Sequence, residues 1–208
     1  MKFQISALFL SIAATAVSAQ DTQTGPYLLH ITGKEGSTID GYASSCHAGA
    51  AIEGLCYGAG AAPTGNSFEY YFNTTGLNKV GDAPTGTISW NLPYTDQNGN
   101  PASEAQVLGL NYLINSNVAA AMFGYSLFGY DTFGFDKDGK LFGTNYFDDS
   151  TFTPGTNPAP SGEGIAIYQW YVCWQYFTGY YYQSIGWATT LPPHNPTCEP
   201  VDITQVFV

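Results

Sequence analysis

The chain alternates short aromatic or β-branched runs with clusters of Gly, Pro, Asn and Asp. This alternation limits the possible folds more than any other feature of the sequence. Runs of this kind, separated by turn-forming residues at short intervals, predict an all-β domain. Helix signals are scarce, and we expect only one short helical turn, within residues 48–55. We predict a single-domain β-sandwich or distorted β-barrel with two disulfides. The recurring pattern of an aromatic strand followed by a DG or TG turn is also compatible with a β-trefoil fold.

Two dipeptides predict the tips of tight hairpins. Asp138-Gly139 lies between apolar residues in GFDKDGKLFG, and Asn98-Gly99 follows a strand expected at residues 87–92. Both dipeptides readily adopt the positive φ angles of a tight turn. Residues 103–114 begin with a Ser-x-x-Gln pattern that resembles a helix capping box. Their apolar side chains nevertheless alternate, so we predict a strand there.

The N-terminus has the form of an export signal. Lys2 precedes a short apolar run at residues 5–17, and Val17-Ser18-Ala19 matches the small-residue pattern of a cleavage site. We therefore expect residues 1–19 to be a signal peptide and residues 20–208 to form one secreted domain. The apolar run is shorter than the roughly 20 residues of a membrane span, and we expect no membrane association.

Four cysteines predict the cross-links of the fold. In an exported protein an even number of cysteines favours disulfides, and the sequence has no C-x-x-C pattern typical of a zinc or redox site. Three pairings are possible. We favour Cys46 with Cys56 and Cys173 with Cys198, because each pair closes a local loop.

Asn73 begins the sequence Asn-Thr-Thr, which is an acceptor for N-linked glycosylation. In a secreted eukaryotic protein such an asparagine must be accessible. We therefore expect Asn73 on an exposed loop or at a strand edge.

The charge balance disfavours several classes of partner. The formal charge is −11, and all five basic residues are lysines. Nucleic-acid binding requires a basic surface, and bidentate recognition of phosphate or carboxylate typically uses arginine. We expect no nucleic-acid partner and a monomeric protein. The abundant Tyr, Asn, Thr and Ser suit a partner rich in hydroxyl groups, such as cell-wall or other carbohydrate.

The most aromatic segment is QWYVCWQYFTGYYYQSIGW at residues 169–187. Alternation along a strand places Trp170 and Trp174 on one apolar face, which we predict to be core because each ring buries roughly 150–250 Å². The other face combines rings that could stack on a sugar with amides that could bind its hydroxyls. Its ligand-binding candidates are Tyr171, Gln175, Tyr181 and Gln183.

Catalytic signatures are weak in this chain. Glycoside hydrolysis needs two carboxyl groups about 5–9.5 Å apart, and a polysaccharide hydrolase is our first alternative function. The DKDG stretch lacks the spacing of a calcium-binding loop, and the three histidines form no zinc or nucleophile motif. We assign no catalytic residue, metal or cofactor. The acids available to the alternative are Asp131, Asp136, Asp138, Asp148 and Asp149.

Three blocks of sequence resemble a group of small secreted proteins of filamentous fungi to which no activity is assigned. The blocks are CHAGAAIEGLCYG at 46–58, SNVAAAMFG at 116–124, and the end from WYVCWQYFTGYYYQSIGW to PPHNPTCEPVDITQVFV. The resemblance implies a fungal extracellular or cell-wall setting, supports the two local cysteine pairings and implies no reaction. We expect a secreted or wall-associated, non-catalytic protein that binds carbohydrate or shapes the hyphal surface. A secreted effector that binds a host protein is our second alternative.

Overall fold

The computed structural model describes residues 22–34, 36–124, 131–159 and 164–208. The expected signal peptide and its cleavage site lie outside these residues. The described part contains thirteen strands and two short 3₁₀ turns, Asn66–Phe68 and Asp149–Thr151. It contains no helix long and apolar enough to cross a membrane. The strands are β1 Thr22–Gly33, β2 Asp40–Gly49, β3 Ile52–Ala59, β4 Tyr70–Val80, β5 Ala83–Thr95, β6 Pro101–Asn111, β7 Val118–Gly124, β8 Phe133–Phe135, β9 Leu141–Asn145, β10 Ile165–Ile167, β11 Trp170–Phe177, β12 Tyr180–Ala188 and β13 Glu199–Phe207.

Nine of these strands close into a barrel. Around the ring the order is β5, β4, β1, β13, β11, β12, β3, β7 and β6, and the β5–β6 hairpin closes it. Strand β2 pairs with both β1 and β3, while β8, β9 and β10 extend from β5 as a side sheet. The all-β prediction is confirmed in its barrel form. Closure gives the ring strands partners on both sides, as a barrel requires.

Local turn chemistry predicted two of the hairpins correctly. Gly99 and Gly139 have φ angles of 83° and 76°, and they lie at the tips of the β5–β6 and β8–β9 hairpins. In each tip an aspartate, Asp96 or Asp136, accepts backbone N–H hydrogen bonds from two and four residues further along the chain. The strand expected at residues 103–114 is confirmed as β6, although it ends at Asn111.

The helical turn expected within residues 48–55 is wrong. This segment instead contains the tight turn between β2 and β3, with Ala51 at a φ of 56°. Strand pairing explains the difference, because His47 lies opposite Glu53 and Cys46 lies opposite Gly54. The hydrogen bonds between β2 and β3 use the backbone N–H and C=O groups that a helical turn would need.

The core is built largely from aromatic side chains. The largest fully buried residues include Trp170, Tyr27, Tyr70, Phe123 and Phe133, which belong to one hydrophobic cluster inside the barrel. A second, smaller cluster contains Ala48, Ala120, Met122 and Phe177. The abundance of rings therefore serves packing first, as expected for a chain with few aliphatic residues.

Both expected disulfides are confirmed. Cys46 and Cys56 join β2 to β3, with 5.8 Å between their Cα atoms. Cys173 in β11 is joined to Cys198, the residue before β13, with a Cα–Cα distance of 4.1 Å. The second disulfide therefore attaches the aromatic hairpin β11–β12 to the start of the last strand.

Candidate functional site

The β11–β12 hairpin extends beyond the barrel core. Trp170 and Val172 are each 1% exposed and belong to the core cluster. Trp174 and Tyr176 follow at alternate positions, so they project from the same side of the strand, yet they are 43% and 67% exposed. The core therefore ends after Val172. The prediction that Trp174 is a core residue is wrong, because β11 extends beyond the core residues that cover Trp170 and Val172.

The pairing of β11 with β12 assembles an exposed surface on this hairpin. Trp174 lies opposite Gln183, and Tyr176 lies opposite Tyr181. Directly opposed residues project to the same side of a sheet, so we define these four residues as the aromatic face. The rings of Trp174 and Tyr181 stack, with centroids 5.2 Å apart and planes 27° apart. Tyr181 is 60% exposed.

The four predicted ligand-binding residues do not share a surface. Tyr181 and Gln183 belong to the aromatic face, but Gln175 lies opposite Tyr182 on the other side of the hairpin. The Gln175 side chain is buried and its Oε1 accepts a hydrogen bond of 2.8 Å from Ser184. Tyr171 is half-buried on the same side as Gln175. A binding role for any of the four stays a prediction.

The turn between β11 and β12 explains why the four predicted ligand-binding residues lie on two different faces of the hairpin. Thr178 and Gly179, with φ angles of 50° and 101°, form a two-residue turn that places Phe177 opposite Tyr180. Such a turn pairs odd-numbered positions of β11 with even-numbered positions of β12. Tyr176 therefore shares a face with Tyr181, and Trp174 shares that face with Gln183. Applying this register to the sequence groups these four residues, but it does not show that this part of the face is exposed.

The tip of the hairpin is fixed on the side opposite the aromatic face. Phe177 is 3% exposed and packs in the smaller hydrophobic cluster with Ala48. The Thr178 hydroxyl donates a hydrogen bond to the Ala48 carbonyl, and the Tyr182 hydroxyl donates to the His47 carbonyl at 3.1 Å. These contacts join the tip to the β2–β3 hairpin and fix the position of the strands that carry the exposed rings.

The segment before β13 covers the backbone of Trp174. The Trp174 N–H donates to the Thr197 hydroxyl at 3.0 Å, and the Asn195 amide donates to the Trp174 carbonyl at 2.9 Å. The Cys173–Cys198 disulfide joins the neighbouring residues. Trp174 thus presents its ring to solvent while its main chain is held by side chains.

Two of the five predicted acids have structural roles at the β8–β9 turn. Asp136 caps this turn and accepts a hydrogen bond of 3.0 Å from the Tyr168 hydroxyl. Burial, together with this contact, raises the pKa of Tyr168 to about 12. Asp138 forms an exposed ion pair with Lys137 at 2.7 Å. The two carboxylates thus serve a turn cap and an exposed ion pair.

Of the remaining three acids, Asp148 and Asp149 share a groove and Asp131 lies elsewhere. Asp148 and Asp149 line a groove of about 600 Å³, and hydrogen bonds from Ser150 hold the pKa of Asp148 below its usual value. Burial raises the pKa of Asp131, partly offset by the hydrogen bond that its carboxylate accepts from the Leu110 N–H. A general acid of a glycosidase needs a raised pKa. That property belongs to Asp131, which is not among the residues that line the groove.

The histidines form separate contacts. His30 lies 2.7 Å from the Asp40 carboxylate and His47 lies 3.4 Å from Glu53. His194 donates its backbone N–H to the side chain of Asn117. Within the described ranges, no three His, Cys, Asp or Glu residues form a group that could hold a metal ion.

Asn73 lies inside the sheet and not on a loop or strand edge as expected. It is half-buried in β4, where Gln23 of β1 and Thr87 of β5 lie opposite it. Its amide nitrogen donates to the Ser89 hydroxyl at 2.8 Å, and its amide oxygen accepts from Gln23 at 2.7 Å. The expectation about location is wrong because β4 has partners on both sides. Glycosylation of Asn73 stays a prediction.

Comparison of the chain with protein-family models, curated proteins and solved structures finds no match.

Proposed function

We propose that this is a secreted, non-catalytic protein that binds neutral carbohydrate, in an extracellular or cell-wall setting, through the aromatic face. The observation that carries the proposal is the exposure of three rings on one supported surface, namely Trp174, Tyr176 and Tyr181. The two disulfides are consistent with this setting, because disulfides persist in oxidising, extracellular environments.

Exposed aromatic rings beside an amide suit a sugar better than an apolar ligand. A pyranose has C–H faces that can pack on a ring and a rim of hydroxyl groups. The Gln183 amide, opposite Trp174, can both donate and accept hydrogen bonds to such hydroxyls. Tyr176 and Tyr181 add hydroxyl groups of their own, so the surface combines apolar contact with hydrogen bonding.

The charge of the chain favours a neutral ligand. A formal charge of −11 and the absence of arginine disfavour acidic polysaccharides by long-range repulsion. The hydrogen bonds that support the hairpin also favour binding, because a backbone held in place loses little conformational entropy when a ligand is bound.

The proposal is tested with a glycan array and by cosedimentation with insoluble polysaccharides, using the purified mature protein. We expect binding to at least one neutral polysaccharide. Tyr181→Ala should weaken it by about tenfold or more, as truncation of a central aromatic contact usually does. The matched control is Tyr94→Ala, which removes a ring that is 47% exposed on β5.

Two results would contradict the proposal. The first is a uniform absence of binding across the array and the insoluble polysaccharides. The second is an equal loss of binding in the Tyr181 and Tyr94 variants, which would show that the aromatic face has no special role.

A further inference from the structure

Strand β10 presents an edge that is free within the described residues. It pairs with β9 on one side, with Ile165 opposite Asn145 and Ile167 opposite Gly143, and it ends the side sheet. No described strand pairs with its other side. An edge of this kind exposes backbone N–H and C=O groups that can pair with another extended chain.

Grooves flank this edge on both faces of the sheet. Alternate residues of the segment face opposite sides. Ala166 and Tyr168 line one groove, of about 520 Å³, and Ile165 and Ile167 line the other, of about 600 Å³. Further apolar side chains in the two grooves are Val80, Ala83, Pro84, Phe135 and Phe142 in the first and Phe147, Phe152 and Trp187 in the second.

The combination of a free edge with two grooves matches strand addition. In this mode of recognition main-chain hydrogen bonds supply affinity, and pockets for alternate side chains supply specificity. A strand laid beside β10 would direct successive side chains into the two grooves in turn. The lining of the first groove is mostly apolar and that of the second is about half apolar, and the apolar side chains in both favour apolar residues at the centre of such a strand.

The charges around the grooves indicate the sign of the charge that a partner should carry. Asp82 and Asp136 line the first groove, and Asp148 and Asp149 line the second. Among the described lining residues Lys137 is the one amine, and it forms an ion pair with Asp138. The two grooves together are therefore acidic. This arrangement complements a basic partner and opposes a second copy of this acidic chain.

We propose that the β10 edge binds an extended peptide segment that has an apolar centre and basic ends, by strand addition. This surface is separate from the aromatic face, and the inference does not depend on carbohydrate binding. The probe is an acetylated, amidated octapeptide with two Lys at each end and Val-Ile-Val-Ile between them. One control peptide carries Glu in place of Lys, and another has N-methyl groups on alternate central residues.

Binding is measured by titration calorimetry and by NMR at low ionic strength. We expect the basic peptide to bind in the micromolar range, the Glu peptide at least about tenfold more weakly, and the N-methylated peptide not measurably. The largest shifts of backbone amide signals should fall at Ile165, Ala166 and Ile167. Binding should also slow hydrogen exchange in β10.

A pair of protein variants tests the contribution of charge. Asp82 and Asp149 are exposed, so Asp82→Asn combined with Asp149→Asn should preserve the fold and lower the affinity about tenfold. Glu104→Gln removes an exposed acid from β6 and should leave the affinity within about twofold.

Three outcomes would overturn the proposal. They are no binding of the basic peptide, equal binding of all three peptides, and amide shifts confined to other strands. Sedimentation of the free protein as a dimer, with β10 amides protected at high concentration, would also overturn it by assigning the edge to self-association.

Discussion

Trp174 differs from the other three tryptophans in its exposure to solvent. Trp90, Trp170 and Trp187 are 2%, 1% and 8% exposed, whereas Trp174 is 43% exposed. A single exposed indole on the proposed binding surface is therefore an intrinsic probe of that surface. It also makes the position of the hairpin relative to the core measurable without any ligand.

We predict that Trp174→Phe will remove most of the quenching of tryptophan fluorescence by acrylamide. The quencher reaches exposed rings and is excluded from buried ones. Unfolding free energy should change by less than about 0.5 kcal/mol, because the side chain is largely outside the core. Trp187→Phe is the matched control and should leave quenching nearly unchanged. Strong quenching that persists in Trp174→Phe would contradict the exposed position of the hairpin.

Asp202 carries the most strongly connected ion pair in the described residues. Its two carboxylate oxygens lie 2.8 Å from the Lys34 amine and 2.7 Å from the Lys140 amine, and its side chain is 20% exposed. We predict that Asp202→Asn will lower the free energy of unfolding by about 1–2 kcal/mol. Asp138→Asn, which breaks a pair in which both side chains are largely exposed, should cost almost nothing. Urea denaturation at pH 7 measures both.

The contribution of Asp202 should also depend on pH. Burial alone would raise the pKa of Asp202, but hydrogen bonds and charges from Lys140 and Lys34 outweigh burial and hold the pKa below its ordinary value of 3.8. Because the folded-state pKa is lowered, the stabilisation is fully present above pH 3.8 and is lost as the pH falls through the lower folded value. The difference in stability between Asp202→Asn and the unmodified protein should therefore shrink in strong acid. A difference independent of pH would contradict this account.

At the scale of single elements, the sequence predicts the features that depend on neighbouring residues, such as turns and the alternation of faces along a strand. The turns at Gly99 and Gly139 follow from dipeptide chemistry, and the alternation of β11 correctly places Trp170 and Trp174 on one side of the strand. Sequence alternation cannot show where the barrel stops covering that side. The stacking of Trp174 on Tyr181 depends on strand register, and the groove between Asp149 and Trp187 depends on contacts between distant segments.

Asn117 organises the loop between β12 and β13. Its amide nitrogen donates to the Thr190 carbonyl at 3.0 Å and to the Pro192 carbonyl at 2.9 Å, and its amide oxygen accepts from the His194 N–H at 2.8 Å. Asn117 is 8% exposed, so these groups have little access to water. One side chain therefore satisfies several backbone groups of a segment that has no strand of its own.

We predict that Asn117→Ala will lower the free energy of unfolding by about 2–3 kcal/mol, because it leaves several backbone groups without partners. Hydrogen exchange at His194 should become faster, since that N–H loses its acceptor. The control is Asn115→Ala, which changes an exposed residue of the preceding turn and should have little effect. Similar exchange rates at His194 in the two variants would contradict the proposed role of Asn117.

At the scale of the whole molecule, the first and last strands are neighbours in the barrel. β1 pairs with β13, with Tyr27 opposite Phe207 and Gly33 opposite Val201. The ring therefore brings together segments from the two ends of the described chain, and this closure carries a large cost in chain entropy. Each disulfide lowers the entropy of the unfolded chain by an amount that rises with the logarithm of the length of the loop it closes. Cys46–Cys56 spans 10 residues and Cys173–Cys198 spans 25.

We predict that the two disulfides differ in their contribution to stability in the order of these spans. The chain-entropy relation gives a stabilisation of about 2.7 kcal/mol for the shorter loop and about 3.5 kcal/mol for the longer one. Replacing Cys173 and Cys198 together by Ala should therefore destabilise the protein by about 0.8 kcal/mol more than replacing Cys46 and Cys56. Urea denaturation of the two double variants measures the difference. Equal or reversed values would show that contacts in the folded barrel, and not constraint of the unfolded chain, determine what each disulfide contributes.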